Sequence, residues 1–211
     1  MRILRYVRFF LNYSKKKHKE KTIKEIKKNL NGVSNISPER LLDELYKLIR
    51  SKNFLRLVKD KNCLEIISLI FPQLKDFNFF NKLNTYAQEN LDKVDFIFLI
   101  SLMVIDGSDN VDYFIYKFKI SKKDQKRILF INNFYQSNIT SKTFSEKNLN
   151  TILYFHGKEY LIDIINFKIF KSKKLDQNLV DLLKVFKEKK IPQLPIGANI
   201  LMKRYNIAEG K

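Results

Sequence analysis

Apolar residues recur along this chain with the spacing of amphipathic helices, beginning at its first residues. Between Arg2 and Tyr13 the spacing predicts a first helix that buries one side, an apolar stripe made of Ile3, Leu4, Val7, Phe10 and Leu11. Further stripes of this kind follow to the end of the chain, and Gly and Pro number only five and four. The pattern predicts an all-α protein, a multi-helix array of about ten helices with no substantial sheet.

Capping residues and apolar runs predict where several of these helices begin or which of them are buried. Thr22 is a candidate cap of the second helix, Ser37 of the third, and Ser121 of a helix that starts at residue 122. The apolar run 96–105 is ten residues long, too short to cross a bilayer, and predicts a buried core helix. Residues 111–120 alternate as a strand would, but the scarcity of strand partners favours a helix.

Composition and charge change along the chain. Polar residues at 87–95 separate a basic front from a more apolar rear and predict two domains, at residues 1–90 and 91–211. The net charge is +19, and residues 1–30 hold eleven Lys or Arg against two Glu. A charge surplus of this kind favours polyanions, with nucleic acid first and an acidic membrane surface second.

Three arginines share one side of the first helix. Arg2, Arg5 and Arg8 are spaced at i, i+3 and i+6, which places them within about 120° of one another. Guanidinium groups suit phosphates and base edges because they donate two parallel hydrogen bonds. The spacing alone leaves two interpretations open: an anion-binding ladder, or the solvated basic face of an ordinary amphipathic helix.

The sequence contains no recognisable catalytic motif, such as a Gly-rich phosphate loop, a nucleophile elbow or a zinc-type Cys/His spacing. His18 has no Cys or second His nearby along the chain, so we predict that it is not a metal ligand. The single cysteine, Cys63, has apolar neighbours and is predicted to be a buried, reduced thiol, which fits a cytoplasmic location. With no catalytic residue and no metal ligand predicted, the chain is interpreted as a binding part rather than a complete active site.

The first helix resembles a motif of a known family. Residues 2–9, RILRYVRF, are similar to the Arg-x-Leu-Arg-x-x-Arg-Phe segment of the bacterial tRNA nucleotidyltransferase (CCA-adding enzyme) and poly(A) polymerase family, class II. Residues 36–45, ISPERLLDEL, resemble the family's Ile-Ser-x-Glu-Arg-Ile-x-x-Glu-Leu, and residues 71–74, FPQL, its Phe-Pro-x-Leu. Residues 195–202 and 206–210 resemble tail motifs, so the matches run the length of the chain.

The resemblance implies a neck, body and tail without the family's catalytic head. In the family, the arginines that match Arg2, Arg5 and Arg8 contact the incoming CTP or ATP. The whole enzyme adds C, C and A to tRNA 3′ ends and binds Mg²⁺ in its head. The basic neck is expected to bind tRNA through backbone phosphates and shape. Its candidate contacts are Lys15, Lys16, Lys17, Lys19, Lys24, Lys27 and Lys28. For each of them the alternative is a solvated surface lysine with no RNA contact.

The departures from the family leave the enzymatic role open. The head's phosphate loop, its metal-binding Asp-x-Asp pair and its Arg-Arg-Asp motif are missing from this sequence. We therefore interpret the chain as a fragment or the rear half of a split enzyme, and expect no transferase activity from it alone. The alternatives are a poly(A) polymerase fragment, a stand-alone helical RNA-binding module, and an amphipathic protein of a membrane surface, although no membrane partner is expected.

Overall fold

A computed structural model describes residues 2–137, 143–191 and 198–206 of the chain. The helices of the front part are α1 (Arg2–Tyr13), α2 (Glu20–Lys28), α3 (Pro38–Ile49), α4 (Arg56–Lys59), α5 (Lys61–Ile70) and α6 (Thr85–Asn90). They are followed by α7 (Phe96–Val104), α8 (Asn110–Phe118), α9 (Lys122–Gln136), α10 (Glu146–His156), α11 (Lys158–Lys171), α12 (Gln177–Glu188) and α13 (Ala198–Tyr205). Two 3-10 helices, Leu30–Asn35 and Phe77–Lys82, complete the regular structure. Throughout the described residues the protein is helical and has no strand, which confirms the all-α prediction.

The sequence pattern located most of these elements. Leu4, Val7 and Leu11 are buried in α1 as predicted, and α7 is the expected core helix, buried from Phe98 to Val104. Most of the ambiguous segment 111–120 is helical, as predicted, because it lies in α8, which ends at Phe118. Ser121 caps α9, because its Oγ accepts a hydrogen bond from the backbone N–H of Asp124 at 3.2 Å.

The predicted cap at Thr22 is wrong. Helix α2 begins at Glu20, and Lys19 occupies the cap position without a side-chain hydrogen bond. Glu20 places a carboxylate in the first turn, where the positive end of the helix dipole favours it. The helix therefore starts three residues before Ile23, where a cap at Thr22 would place its start.

Two hydrophobic clusters hold the helices together. The larger runs from Leu4 in α1 to Ile131 in α9 and includes Phe167 and Phe170 of α11. The smaller cluster gathers α10, α11 and α12 between Leu149 and Phe186. The larger cluster takes residues from both sides of the predicted 90/91 boundary, and the division into two domains stays a prediction.

A buried arginine joins helices that belong to both clusters. Arg127 in α9 is only 8% exposed. Its Nη2 donates to Asp163 Oδ1 of α11 at 2.8 Å and to Asp95 Oδ2, at the start of α7, at 2.6 Å. Its Nη1 lies 3.3 Å from Glu159 Oε1. Because two carboxylates come from α11 and one from the start of α7, the guanidinium fixes α7, α9 and α11 relative to one another.

None of the helices in the described part of the chain combines the length and the apolar character that crossing a bilayer requires.

Candidate nucleic-acid interface

The arginine ladder runs along the flank of α1 and reaches the edge of its buried stripe at Arg8. Arg2 is exposed, and the Arg5 and Arg8 side chains are 56% and 23% exposed. Arg5 and Arg8 converge on a single carboxylate from α3, whereas Arg2 has no ion-pair partner among the described residues. The structure therefore brings two of the three predicted nucleotide-binding residues together and leaves the third free in solvent.

The carboxylate beneath the ladder is Glu44, which is 2% exposed. Its Oε1 lies 3.4 Å from Arg5 Nε, and its Oε2 lies 3.5 Å from Arg8 Nε. Lys47 Nζ also lies 4.0 Å from Oε1, so three cations adjoin this carboxylate and leave an excess of positive charge around it. The buried carboxylate therefore orients the two arginines without neutralising both of them.

Sequence reasoning did not assign Glu44 to the site. The available signal was its position in α3, where it stands among the buried residues Leu41, Leu45 and Leu48. A charged side chain on the buried side of a helix requires a partner, because an unpaired buried charge is strongly unfavourable. The sequence does not reveal that this partner is α1.

Two aromatic rings extend the basic surface along α1. The guanidinium carbon of Arg8 lies 4.9 Å from the centroid of the Phe9 ring, and the Phe9 ring stacks on Tyr13 at 5.9 Å. Phe9 and Tyr13 are 49% and 77% exposed, so their outer faces are open. Exposed aromatic faces beside a guanidinium are typical of surfaces on which nucleobases stack. Their i, i+4 spacing outside the buried stripe was the signal for them in the sequence.

The end of α1 is anchored to the segment before α5. Arg56 donates hydrogen bonds to the carbonyl oxygen of Leu11 and, at 2.9 Å, to that of Ser14. Asn53 Nδ2 donates to the carbonyl oxygen of Asn12 at 3.3 Å. These donors satisfy carbonyl groups that a helix end leaves without partners. They fix the point at which the basic loop leaves α1.

All seven candidate lysines are exposed. Four lie on the loop between α1 and α2, and three lie on α2. Lys27 is paired, since its Nζ lies 2.6 Å from Glu65 Oε1. The other six have no ion-pair partner among the described residues, which leaves their charge available to a polyanion; they are Lys15, Lys16, Lys17, Lys19, Lys24 and Lys28.

The prediction that His18 is not a metal ligand stays a prediction, but the structure places potential metal ligands beside it that the sequence spacing did not reveal. Its Nε2 lies 2.9 Å from Asp60 Oδ2 and 3.6 Å from Cys63 Sγ. Its Nδ1 lies 2.8 Å from the hydroxyl of Tyr6, and its ring stacks on Phe10 with the centroids 3.5 Å apart. The residues are remote along the chain, and only the packing of the basic loop against the start of α5 brings them together.

The thiol in this group is buried and reduced, as predicted. Burial raises the pKa of the Cys63 thiol, and the neighbouring Asp60 carboxylate raises it further, so the thiol carries its proton at neutral pH. Burial alone would raise the pKa of Asp60. The backbone N–H of Cys63 and the His18 side chain more than offset that effect, and the pKa of Asp60 lies below its usual value.

The group does not suit the Mg²⁺ ion that the resemblance implies. His18, Asp60 and Cys63 are the only set of three or more potential ligands that converge within the described residues. Mg²⁺ prefers oxygen ligands in octahedral geometry, whereas this set offers one nitrogen, one sulfur and one carboxylate. We therefore assign no step of the chemistry to Mg²⁺ on these residues.

Comparison with protein families bears on the same part of the chain. Residues 19–78 match the family model described as the probable RNA- and SrmB-binding site of polymerase A. The matched segment is similar to an RNA-binding region of polymerase A. It runs from the end of the basic loop through α2, α3, α4 and α5, and it includes Glu44 and four of the candidate lysines. The match supports the poly(A)/CCA polymerase family at a coarse level and makes RNA the expected partner. No curated protein matches the chain.

Proposed function

We propose that this chain is the RNA-binding and nucleotide-contacting portion of a tRNA nucleotidyltransferase that adds CCA to tRNA 3′ ends. The observation that carries the proposal is the position of Glu44. It lies inside the segment that matches the polymerase A RNA-binding region, and its carboxylate holds Arg5 and Arg8 of α1. A segment with RNA-binding character is thus joined directly to the proposed nucleotide contacts.

The two sets of cations divide the work in this proposal. The unpaired lysines of the basic loop and α2 bind tRNA phosphates, which requires charge and little shape. Arg2, Arg5 and Arg8 contact the triphosphate and the base edge of CTP or ATP, where the planar guanidinium offers paired donors. Phe9 and Tyr13 supply the adjacent faces on which a base stacks.

The proposal assigns no catalytic metal to the described residues. A catalytic head, on the same polypeptide or on another, would hold Mg²⁺ between carboxylates. The metal would there assist attack of the RNA 3′-hydroxyl on the α-phosphate, with pyrophosphate as the leaving group. The part of this proposal that belongs to α1, the basic loop and α2 is to bind and orient the RNA and the nucleotide. We therefore propose that the purified chain, supplied with tRNA, CTP, ATP and Mg²⁺, incorporates no nucleotide, and robust incorporation would contradict this division.

The preference of the chain for tRNA or for poly(A) distinguishes the proposal from its alternatives. Fluorescence anisotropy would compare a tRNA transcript that ends before CCA with a poly(A) strand of equal length, over a series of salt concentrations. We expect tRNA to bind at least about tenfold more tightly, with an affinity that falls steeply as salt rises. A preference for poly(A) would favour the poly(A) polymerase alternative. Flotation with anionic vesicles in the absence of tRNA binding would instead favour a membrane-surface protein.

The nucleotide contacts require a separate measurement. Ligand-observed NMR would follow CTP and ATP in the presence of the chain and its bound tRNA. The variant Arg8→Lys keeps the charge but loses the planar fork, so we expect it to weaken the CTP signal while tRNA affinity stays unchanged. Unchanged nucleotide signals in Arg2→Lys, Arg5→Lys and Arg8→Lys would leave the RNA-binding module without nucleotide contacts as the better account.

A further inference from the structure

We propose that His18, Asp60 and Cys63 form a binding site for a thiophilic divalent cation, Zn²⁺. One potential ligand atom from each residue lies within 4.8 Å of the others. The set combines imidazole nitrogen, thiolate sulfur and carboxylate oxygen, which are the three ligand types that zinc takes in proteins. Three protein ligands and one water would complete a tetrahedral site.

The separations between these atoms are close to those of a zinc centre. Around tetrahedral zinc, with the usual bond lengths, neighbouring donor atoms lie about 3.4–3.6 Å apart. The observed distance from His18 Nε2 to Cys63 Sγ is 3.6 Å, which already meets this requirement. The distance from His18 Nε2 to Asp60 Oδ2 is 2.9 Å, so the carboxylate needs to withdraw by about 0.5 Å for zinc to enter.

The surroundings hold the ligands in position. Asp60 is the cap residue of α5, and its Oδ1 accepts a hydrogen bond from the backbone N–H of Cys63 at 3.0 Å. Both carboxylate oxygens face His18 Nε2, with Oδ1 at 3.0 Å and Oδ2 at 2.9 Å. The imidazole is fixed by its stack on Phe10 and by the Tyr6 hydroxyl 2.8 Å from Nδ1. Outer partners of this kind orient a metal-bound histidine and select its tautomer.

The site is sheltered but reachable. The His18 side chain is 7% exposed and the Asp60 side chain is 22% exposed, so the carboxylate is the side open to solvent. On binding, the Cys63 thiol would release its proton to solvent and form the Zn–S bond. Asp60 would bind as the carboxylate, and His18 would bind through Nε2 with its proton on Nδ1, donated to the Tyr6 oxygen.

Binding at this position would fasten the basic loop to the body of the protein. His18 lies in the loop that carries Lys15, Lys16 and Lys17, whereas Asp60 and Cys63 belong to the start of α5. The cation would therefore hold the loop without occupying any of its lysines. The metal site does not rest on the proposed function, because its ligands are none of the proposed RNA or nucleotide contacts.

Cobalt titration tests the site directly and requires no RNA. The full chain, stripped with a chelator, would be titrated with Co²⁺ and then with Zn²⁺ while its absorption spectrum is recorded. We expect one Co²⁺ to bind per chain and to give a thiolate-to-cobalt charge-transfer band. Zn²⁺ should then displace the Co²⁺ and remove the band. Tyr6→Phe should weaken binding by about 10–100-fold, since it removes only an outer partner.

Variants separate metal binding from loss of fold. Cys63→Ser should abolish the charge-transfer band, and Asp60→Asn, which still caps α5, should weaken binding while circular dichroism stays helical. His156→Gln changes the second histidine of the chain and serves as the matched control, with no change expected. The proposal is overturned if the folded wild-type chain gives no charge-transfer band or if Cys63→Ser binds Co²⁺ as tightly as the wild type.

Discussion

The carboxylate of Glu44 lies 3.5 Å from Nε of Arg8 across the contact between α3 and α1. Glu44 is buried at 2% exposure, and the same carboxylate reaches Arg5 on the preceding turn of α1. The buried anion thus pairs with two partly exposed cations on successive turns of α1. The orientation of the ladder is thus a property of the α1–α3 contact and not of α1 alone.

Replacing Glu44 with Gln tests this relationship. The change keeps the size of the side chain but removes the charge that Arg5 and Arg8 share. We expect the variant to lose about 1–3 kcal/mol of stability, less than for a fully buried pair because both arginines are partly exposed. Urea denaturation monitored by circular dichroism measures the change.

Asp43→Asn provides the control on the same helix. Asp43 is exposed and pairs with Lys47 one turn away, so its loss should cost about 0.5 kcal/mol or less. Equal effects of the two substitutions would show that the contact of Glu44 with α1 contributes nothing beyond an ordinary surface pair.

The basic loop should contribute to RNA affinity through charge. Removing two cations that contact phosphates lowers the slope of log affinity against log salt by about 1–2. We expect this from the double substitution of Lys16 and Lys17 by Gln, measured by anisotropy with the tRNA transcript.

A second adjacent pair of exposed lysines, Lys173 and Lys174, lies after α11 and outside the matched segment. Its double substitution by Gln makes the same change in net charge and should leave the slope unchanged. If both double variants lower the slope equally, the total charge of the protein governs binding and the loop has no special role.

Acid should destabilise the turn between α7 and α8. Burial alone would raise the pKa of Asp106, but hydrogen bonds from Ser108 and the charge of Lys75 at 3.0 Å lower it below the ordinary 3.8. The folded state therefore binds this proton less readily than the unfolded chain. The stabilisation from Asp106 is present above about pH 4 and is lost as the pH falls further.

Urea denaturation would measure the free energy of unfolding at pH values between about 5 and 3. We expect this free energy to fall as the pH falls, and to fall less steeply in Asp106→Asn. Asp109→Asn is the control in the same turn, because the Asp109 side chain makes no capping hydrogen bond to α8. Identical pH profiles for the wild type and Asp106→Asn would contradict the assignment.

Gly157 should resist substitution. It joins α10 to α11 with φ +87° and ψ 176°, a backbone conformation that side-chain-bearing residues rarely adopt. Gly157→Ala is expected to cost about 1–3 kcal/mol in a urea titration, although the space around the position is open. Gly32→Ala is the control, because Gly32 is also in open space but has no positive φ, and it should change stability by about 0.5 kcal/mol or less. A similar loss of stability at both glycines would show that backbone strain is not the cause.

The sequence by itself determined the helices, because helical period and caps are properties of neighbouring residues. The stripe of Leu4, Val7 and Leu11, the core helix α7 and the Ser121 cap are all present in the structure. The cap at Thr22 is wrong because α2 begins earlier, at Glu20, whose carboxylate suits the first turn of a helix. The spacing of the arginine ladder was likewise visible in the sequence.

Only the tertiary structure decided which of these elements meet. Glu44 lies under Arg5 from a position 39 residues away, and Cys63 lies beside His18 from 45 residues away. Neither contact can be predicted from the neighbouring sequence. Burial of the apolar helix faces brings these polar groups together, and it does not depend on which polar groups then face each other. Local periodicity fixes a helix and its faces, whereas the packing of several faces at once selects the partners of each buried charge.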